Sequence, residues 1–183
     1  FKLSRKKSIL LLDFNPVQYD VLLKELSVLD KNIILLNQRR PVIWNLQSLK
    51  IILKSKCKII RLDHFEKKIE TKLLKELSIL SDNLKKIWNL DSVFEDTFSI
   101  NSHTFWHSIK NSFMQICDKR FSESVRRILL LNELFDKFNI SVILEWAETG
   151  QEEKEIIFIS KKRGIKSVML QHAMDPTSSK WDK

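Results

Sequence analysis

The chain has 183 residues, 43% hydrophobic and 30% charged, with only two glycines and three prolines. This is the composition of a globular chain with room for one sizeable core; it excludes collagen-like, repetitive and low-complexity classes, and no apolar run nears the roughly 20 residues that span a bilayer. The net charge of +9 is regional: residues 1–62 hold 13 Lys+Arg against 4 Asp+Glu, and residues 63–183 hold 19 of each.

An excess placed this way suits a surface that meets phosphate, nucleic acid or an acidic membrane, or a solvated face that aids solubility. The opening FKLSRKKSILLLDF puts lysines before an apolar stretch. That stretch is too short for a signal-peptide core, and Asp13 interrupts it. Cys57 and Cys117 sit in apolar-periodic segments and read as buried thiols in a reducing compartment. The start on Phe1 and the turn-rich tail MDPTSSKWDK read as a domain cut from a longer polypeptide.

Ser8–Leu12 is a wholly apolar run, as in a strand buried on both faces. Asn15-Pro16 then predicts a helix start, with Asn as cap and Pro as first helical residue. Tyr19, Leu22, Leu26 and Leu29 keep helical spacing. Ile33–Leu36 reads as a second strand. Arg39-Arg40-Pro41 predicts another helix, with Val42, Leu46, Leu49 and Leu53 on its apolar face. Lys58–Leu62 reads as a third strand. A long helical stretch follows, carried by Phe65, Ile69, Leu73, Leu77, Leu80, Leu84 and Ile87, and then by two further stripes from Phe105 to Phe138. These aromatic stripes read as core; Trp44, Trp88 and Trp106 read as core or as a membrane-interface belt, with core favoured. His103 and His107 stand one turn apart, but no adjacent Glu and no third ligand accompany them, so no metal is assigned. Ser141–Leu144 and Ser167–Leu170 return as strands around one more helix.

Strands alternating with helices predict an α/β fold: a doubly wound, Rossmann-like, mostly parallel sheet of about five strands in the order 3-2-1-4-5. A long helical insertion, about 64–139, separates strands 3 and 4. The domain covers 1–173, and 174–183 reads as a linker or tail towards a second domain. The ligand crevice of such a sheet lies beyond the carboxyl ends of its strands.

The stretch EWAETGQEEKEIIFISKKRGIKSVMLQHA contains both glycines. Thr149-Gly150-Gln151-Glu152 reads as a capping box, with Gly150 at the first helical position. Glu152, Glu153 and Glu155 complement the start of the helix dipole, and Lys161, Lys162 and Arg163 its end. Gly164 takes the left-handed position that stops the helix. A first turn already filled with carboxylates argues against a phosphate cradle there. Two glycines supply neither G-x-G-x-x-G nor G-x-x-x-x-G-K-[ST], which excludes the usual dinucleotide and P-loop sites.

A strand ending on an acidic residue, a Glu-rich helix start, and then KKRGIKSVMLQH resemble the end of the N-terminal half of GT-B-fold glycosyltransferases. The resemblance is nearest to those of surface and capsular polysaccharide assembly. It is carried by Glu145, Glu148, Glu152, Glu153, Arg163, Gly164, Ile165, Val168, Leu170, Gln171 and His172. Ala173 departs from it, because members usually have Gly there. The resemblance implies an acceptor-binding half working on a glycan or a lipid-phosphate-linked acceptor. No cofactor is expected in this domain; the nucleotide-sugar donor would be held by a missing second domain. It further implies a cytoplasmic protein with peripheral contact to an anionic membrane.

The strand ends supply the candidate site. His172 is the candidate general base, or a hydrogen-bond donor to a sugar or phosphate oxygen, and Glu148 the acceptor of sugar hydroxyls. Arg39 and Arg40 form a candidate anion clamp, since guanidinium forks match phosphate oxygens. Gln171, Asn15 and Glu145 stand at the same edge, and Gly150 leaves room for close approach of a ligand or of a neighbouring backbone. The other reading is a non-catalytic α/β module that binds an anionic partner, nucleic acid or a protein. Nucleic acid is disfavoured, because the basic residues alternate with strands and no aromatic-basic interleaving is present.

Overall fold

An uninterrupted Ile-Leu run leaves no polar face, so it folds where both faces are covered. That run is β1 (Ser8–Leu12), whose five residues are all buried in the computed structural model. The structure describes residues 6–38, 40–145 and 150–170. After β1 come α1 (Asp20–Ser27), β2 (Asn32–Leu36), α2 (Leu46–Ser55), β3 (Lys58–Ile60) and a 3-10 turn (Leu62–Phe65). Next are α3 (Glu66–Trp88), α4 (Asp91–Thr97), β4 (Ser99–Ile100), β5 (His103–Thr104) and α5 (Trp106–Lys137). The series closes with β6 (Ile140–Glu145), α6 (Gln151–Lys162) and β7 (Lys166–Met169). No helix among the described residues is long and apolar enough to cross a membrane.

The chain divides into two compact units, one of Phe1–His64 with Leu131–Lys183, the other of Phe65–Leu130. The first is α/β, with a five-stranded sheet in the order β3-β2-β1-β6-β7. Its four pairings are all parallel. The numbering departs from the expected 3-2-1-4-5. The insertion adds β4 and β5, which pair antiparallel in a sheet of their own. Leu10, Leu11, Ile34, Leu35, Leu36 and Ile143 have no more than 0% exposure each at the sheet centre. Each such side chain contributes about 1.5–3 kcal/mol through burial. Strand β7 lies at the edge, and all four of its residues are exposed.

Three local expectations are corrected. Helix α1 begins at Asp20, not after Asn15. Asn15 does cap, but it caps a turn: its Oδ1 accepts from Val17 N–H at 3.0 Å and Gln18 N–H at 3.3 Å. Helix α2 begins at Leu46, and its cap is Asn45. Asn45 Oδ1 accepts from Ser48 N–H at 2.7 Å while Ser48 Oγ accepts from Asn45 N–H at 3.1 Å, a reciprocal capping box. Its apolar face is also different from the expected one. Ser48, Ile52 and Ser55 are buried, whereas Leu46 is 74% and Leu53 69% exposed. At 3.6 residues per turn, 48, 52 and 55 form one stripe and 46, 50 and 53 the opposite one.

Helix α6 starts one residue later than the capping box placed it. Gly150 is the N-cap itself, with φ −95° and ψ 157°, and no side-chain cap is present. Thr149 lies outside the described residues. The helix end is as expected. Gly164, at φ 67°, gives its N–H to Lys161 C=O at 3.1 Å, and Ile165 N–H reaches Ser160 C=O at 2.9 Å. That is the paired Schellman pattern.

The second unit is built on aromatic packing. Trp106, fully buried, stacks on Phe94 at 4.4 Å and on Phe98 at 5.4 Å, with Phe113 edge-on at 5.7 Å. Asp91 fixes this cluster by accepting from Trp106 Nε1 at 2.8 Å and from Lys110 Nζ at 2.6 Å. Trp88 is core as expected, 8% exposed, but Trp44 of the first unit is not, at 44%. The two histidines do not share a helix: His103 is on β5, and His107 on α5 contacts Glu95 at 2.9 Å. No group of three potential metal ligands occurs among the described residues.

Candidate functional site

Where β1 ends, Asp13 takes a left-handed conformation, φ 53°. Asp tolerates this better than most residues, because its short side chain bonds locally. Asp13 N–H donates to Leu36 C=O at 3.0 Å, and Asp13 Oδ1 accepts from Gln38 N–H at 2.7 Å. Asn37 Nδ2 donates to Phe14 C=O at 3.1 Å. These bonds lock the carboxyl ends of β1 and β2 together.

The segment after β2 borders two cavities, and Arg40 and Pro41 line both. One, of about 340 Å³, is bounded by Asn15, Arg40, Pro41 and Trp44. The other, of about 450 Å³, has Asn37, Gln38, Arg40 and Arg61 as its polar lining and Val42, Ile43, Ile59 and Ile60 as its apolar lining. Arg61 also pairs with Asp63 at 2.5 Å. Among the described residues, the lining holds no His, Cys, Asp or Glu. The described lining sets Arg40 and Arg61 beside apolar surface, and a guanidinium fork is the side-chain group that matches phosphate oxygens.

The structure therefore brings Asn15 and Arg40 to one cavity. Glu145 stands at the end of β6, where its C=O accepts from Leu170 N–H at 2.7 Å. Its side chain is only 1% exposed, an interior position. Gly150 caps α6 and lines neither cavity. Arg39, Glu148, Gln171 and His172 lie outside the described residues. Sequence reasoning missed Arg61 and Trp44. The apolar run KIIRL reads as a strand through Leu62, but β3 stops at Ile60, which leaves Arg61 at the carboxyl edge. An arginine next to the last apolar residue of KIIRL was the available signal. Burial pushes the pKa of the half-buried Cys57 thiol up.

A scan against protein-family models gives no match, and searches of curated proteins and of solved structures give none either.

Proposed function

We propose that this chain is the acceptor-binding half of a GT-B-like glycosyltransferase of surface polysaccharide or glycolipid synthesis. Its acceptor carries a phosphate next to an apolar chain, and a nucleotide-sugar donor is held by a further domain. The observation that carries the reading is the larger cavity, where Arg40 and Arg61 stand beside Val42, Ile43, Ile59 and Ile60. A guanidinium pair fits phosphate oxygens, and the adjoining isoleucines fit the first units of a lipid chain. The parallel sheet and the resemblance of the Glu145–His172 stretch support the same reading. In this scheme His172 and Glu148 serve the acceptor hydroxyl, Gln171 and Arg39 position it, and most of the rate comes from positioning and electrostatics.

A second reading keeps the cavity and drops the transfer: a non-catalytic module that holds an anionic partner. The excess of Lys+Arg over Asp+Glu in residues 1–62 supports it.

Calorimetric titration of this chain with a water-soluble short-chain prenyl phosphate, the matching prenyl alcohol and a single-stranded DNA tests the reading. The phosphate is expected to bind saturably and the alcohol far more weakly. Arg40→Ala is expected to weaken phosphate binding about tenfold or more, as for loss of a charged hydrogen bond. Equal binding of the alcohol, or saturable binding of the DNA alone, contradicts the acceptor reading.

A further inference from the structure

Helix α2 buries two serines and displays two leucines. Ser48 and Ser55 are 0% and 4% exposed, whereas Leu46 and Leu53 are 74% and 69% exposed. The serines are satisfied where they are. Ser48 Oγ accepts from Trp44 and Asn45 N–H, and Ser55 Oγ donates to Ile52 C=O at 3.1 Å. Nothing in the packing of the core therefore calls for leucines on the outer face. That face carries Leu46, Lys50, Leu53 and Lys54, all exposed, at spacings of three and four. Trp44, also exposed, stands just before it.

The charge along this segment of the chain is of one sign. From Arg40 to Arg61 the chain has six Lys+Arg and no Asp or Glu. Leucines and a tryptophan among lysines compose a helix that lies in the headgroup layer of an acidic membrane. Lysine stems cover apolar surface while their ammonium groups reach outward to phosphate.

We propose that the outer face of α2 docks on an anionic lipid bilayer, with Leu46 and Leu53 entering the acyl boundary and Lys50 and Lys54 at the level of the lipid phosphates. A second copy of this chain is disfavoured as occupant, because two-fold pairing sets like charge against like charge. Nucleic acid would engage the lysines but would gain nothing from Leu46 and Leu53. The neighbouring α1 carries Asp20 and Glu25 against Lys24, so the uniformly basic stretch is that of α2 and its flanks. The docking holds whether or not the Arg40 cavity takes an acceptor.

Co-sedimentation with phosphatidylglycerol-containing vesicles and with pure phosphatidylcholine vesicles reads the contact directly. The chain is expected to bind the anionic vesicles at least about tenfold more tightly. Lys50→Gln with Lys54→Gln is expected to weaken this about fivefold per lysine. Leu46→Ser with Leu53→Ser is expected to weaken it about tenfold or more. Lys119→Gln with Arg120→Gln on α5 serves as a control and leaves binding unchanged. Circular dichroism checks that each exposed-site variant is folded. The proposal is overturned by equal binding to both vesicle types, or by leucine variants that bind as the parent does. It is also overturned if single-stranded DNA binding depends on Lys50 and Lys54 while vesicle binding is absent, or if the leucine pair is needed only for self-association. Prenyl phosphate binding in solution is read separately, so loss of one activity with the other intact identifies which proposal has failed.

Discussion

Gln38 N–H donates to Asp13 Oδ1 at 2.7 Å, a bond between the first residue after β1 and the second after β2. It joins two parallel strands at their carboxyl ends, where the segment carrying Arg40 leaves the sheet. Asn37 and Gln38, which bond to this junction, line the larger of the two cavities described. Asp13→Ala removes the acceptor and places a less tolerant residue at φ 53°. A loss of about 1–2 kcal/mol is expected, read as a lower urea midpoint. Asp13→Asn keeps both an acceptor and left-handed tolerance, and should recover most of it. Equal losses in the two variants would show that the bond is not what matters there.

Gly164 separates conformational from packing effects. A Cβ added there meets nothing within 4 Å, while its φ is 67°. Gly164→Ala should therefore cost about 1 kcal/mol through backbone conformation alone. Gly164→Asn should cost less, since Asn visits this region more readily. A clash-like loss several times larger in both variants would contradict the account.

Asp91 gives the second unit a pH dependence. The hydrogen bond from Lys110, and then that from Trp106, hold its carboxyl below the ordinary aspartate range. A carboxyl whose folded pKa is depressed adds stability above its unfolded pKa and loses it as pH falls through the folded value. The Asp91→Asn variant should thus be less stable than the parent at neutral pH. The difference should narrow as pH falls below about 4. Tryptophan fluorescence during urea unfolding follows this, because Trp106 is fully buried beside Asp91. A difference that stays constant from pH 7 to the acid limit would rule out the assignment.

The parts of this fold visible in the sequence were those set by period and by backbone necessity. SILLL had to be a buried strand, and Gly164 had to stop a helix; both are so. The face of α2 was misread because apolar periodicity identifies a stripe without saying which way it points. Leu46, Leu49 and Leu53 form a good stripe, yet Ser48 and Ser55 take the buried side, where small residues permit a close approach. Asn15-Pro16 showed a true cap, but the capped element was a turn, and α1 waits until Asp20. In the site, Arg40 and Asn15 were legible as residues that follow strand ends. Arg61 was not, because strand length is a tertiary outcome: β3 pairs with β2 through Ile60 only. Trp44 was hidden by the general tendency of tryptophan to be core.

The central claim is that an anionic, partly apolar acceptor sits in the cavity at Arg40. Backbone amide shifts of this chain, followed by NMR while short-chain prenyl phosphate is titrated in, test it most directly. The account predicts saturable shifts grouped at Asn37 to Trp44 and at Ile59 to Arg61, absent with the prenyl alcohol and lost in Arg40→Ala. Shifts centred instead on the groove of Leu77, Leu84, Trp88 and Met114, or no saturable shifts at all, would contradict it.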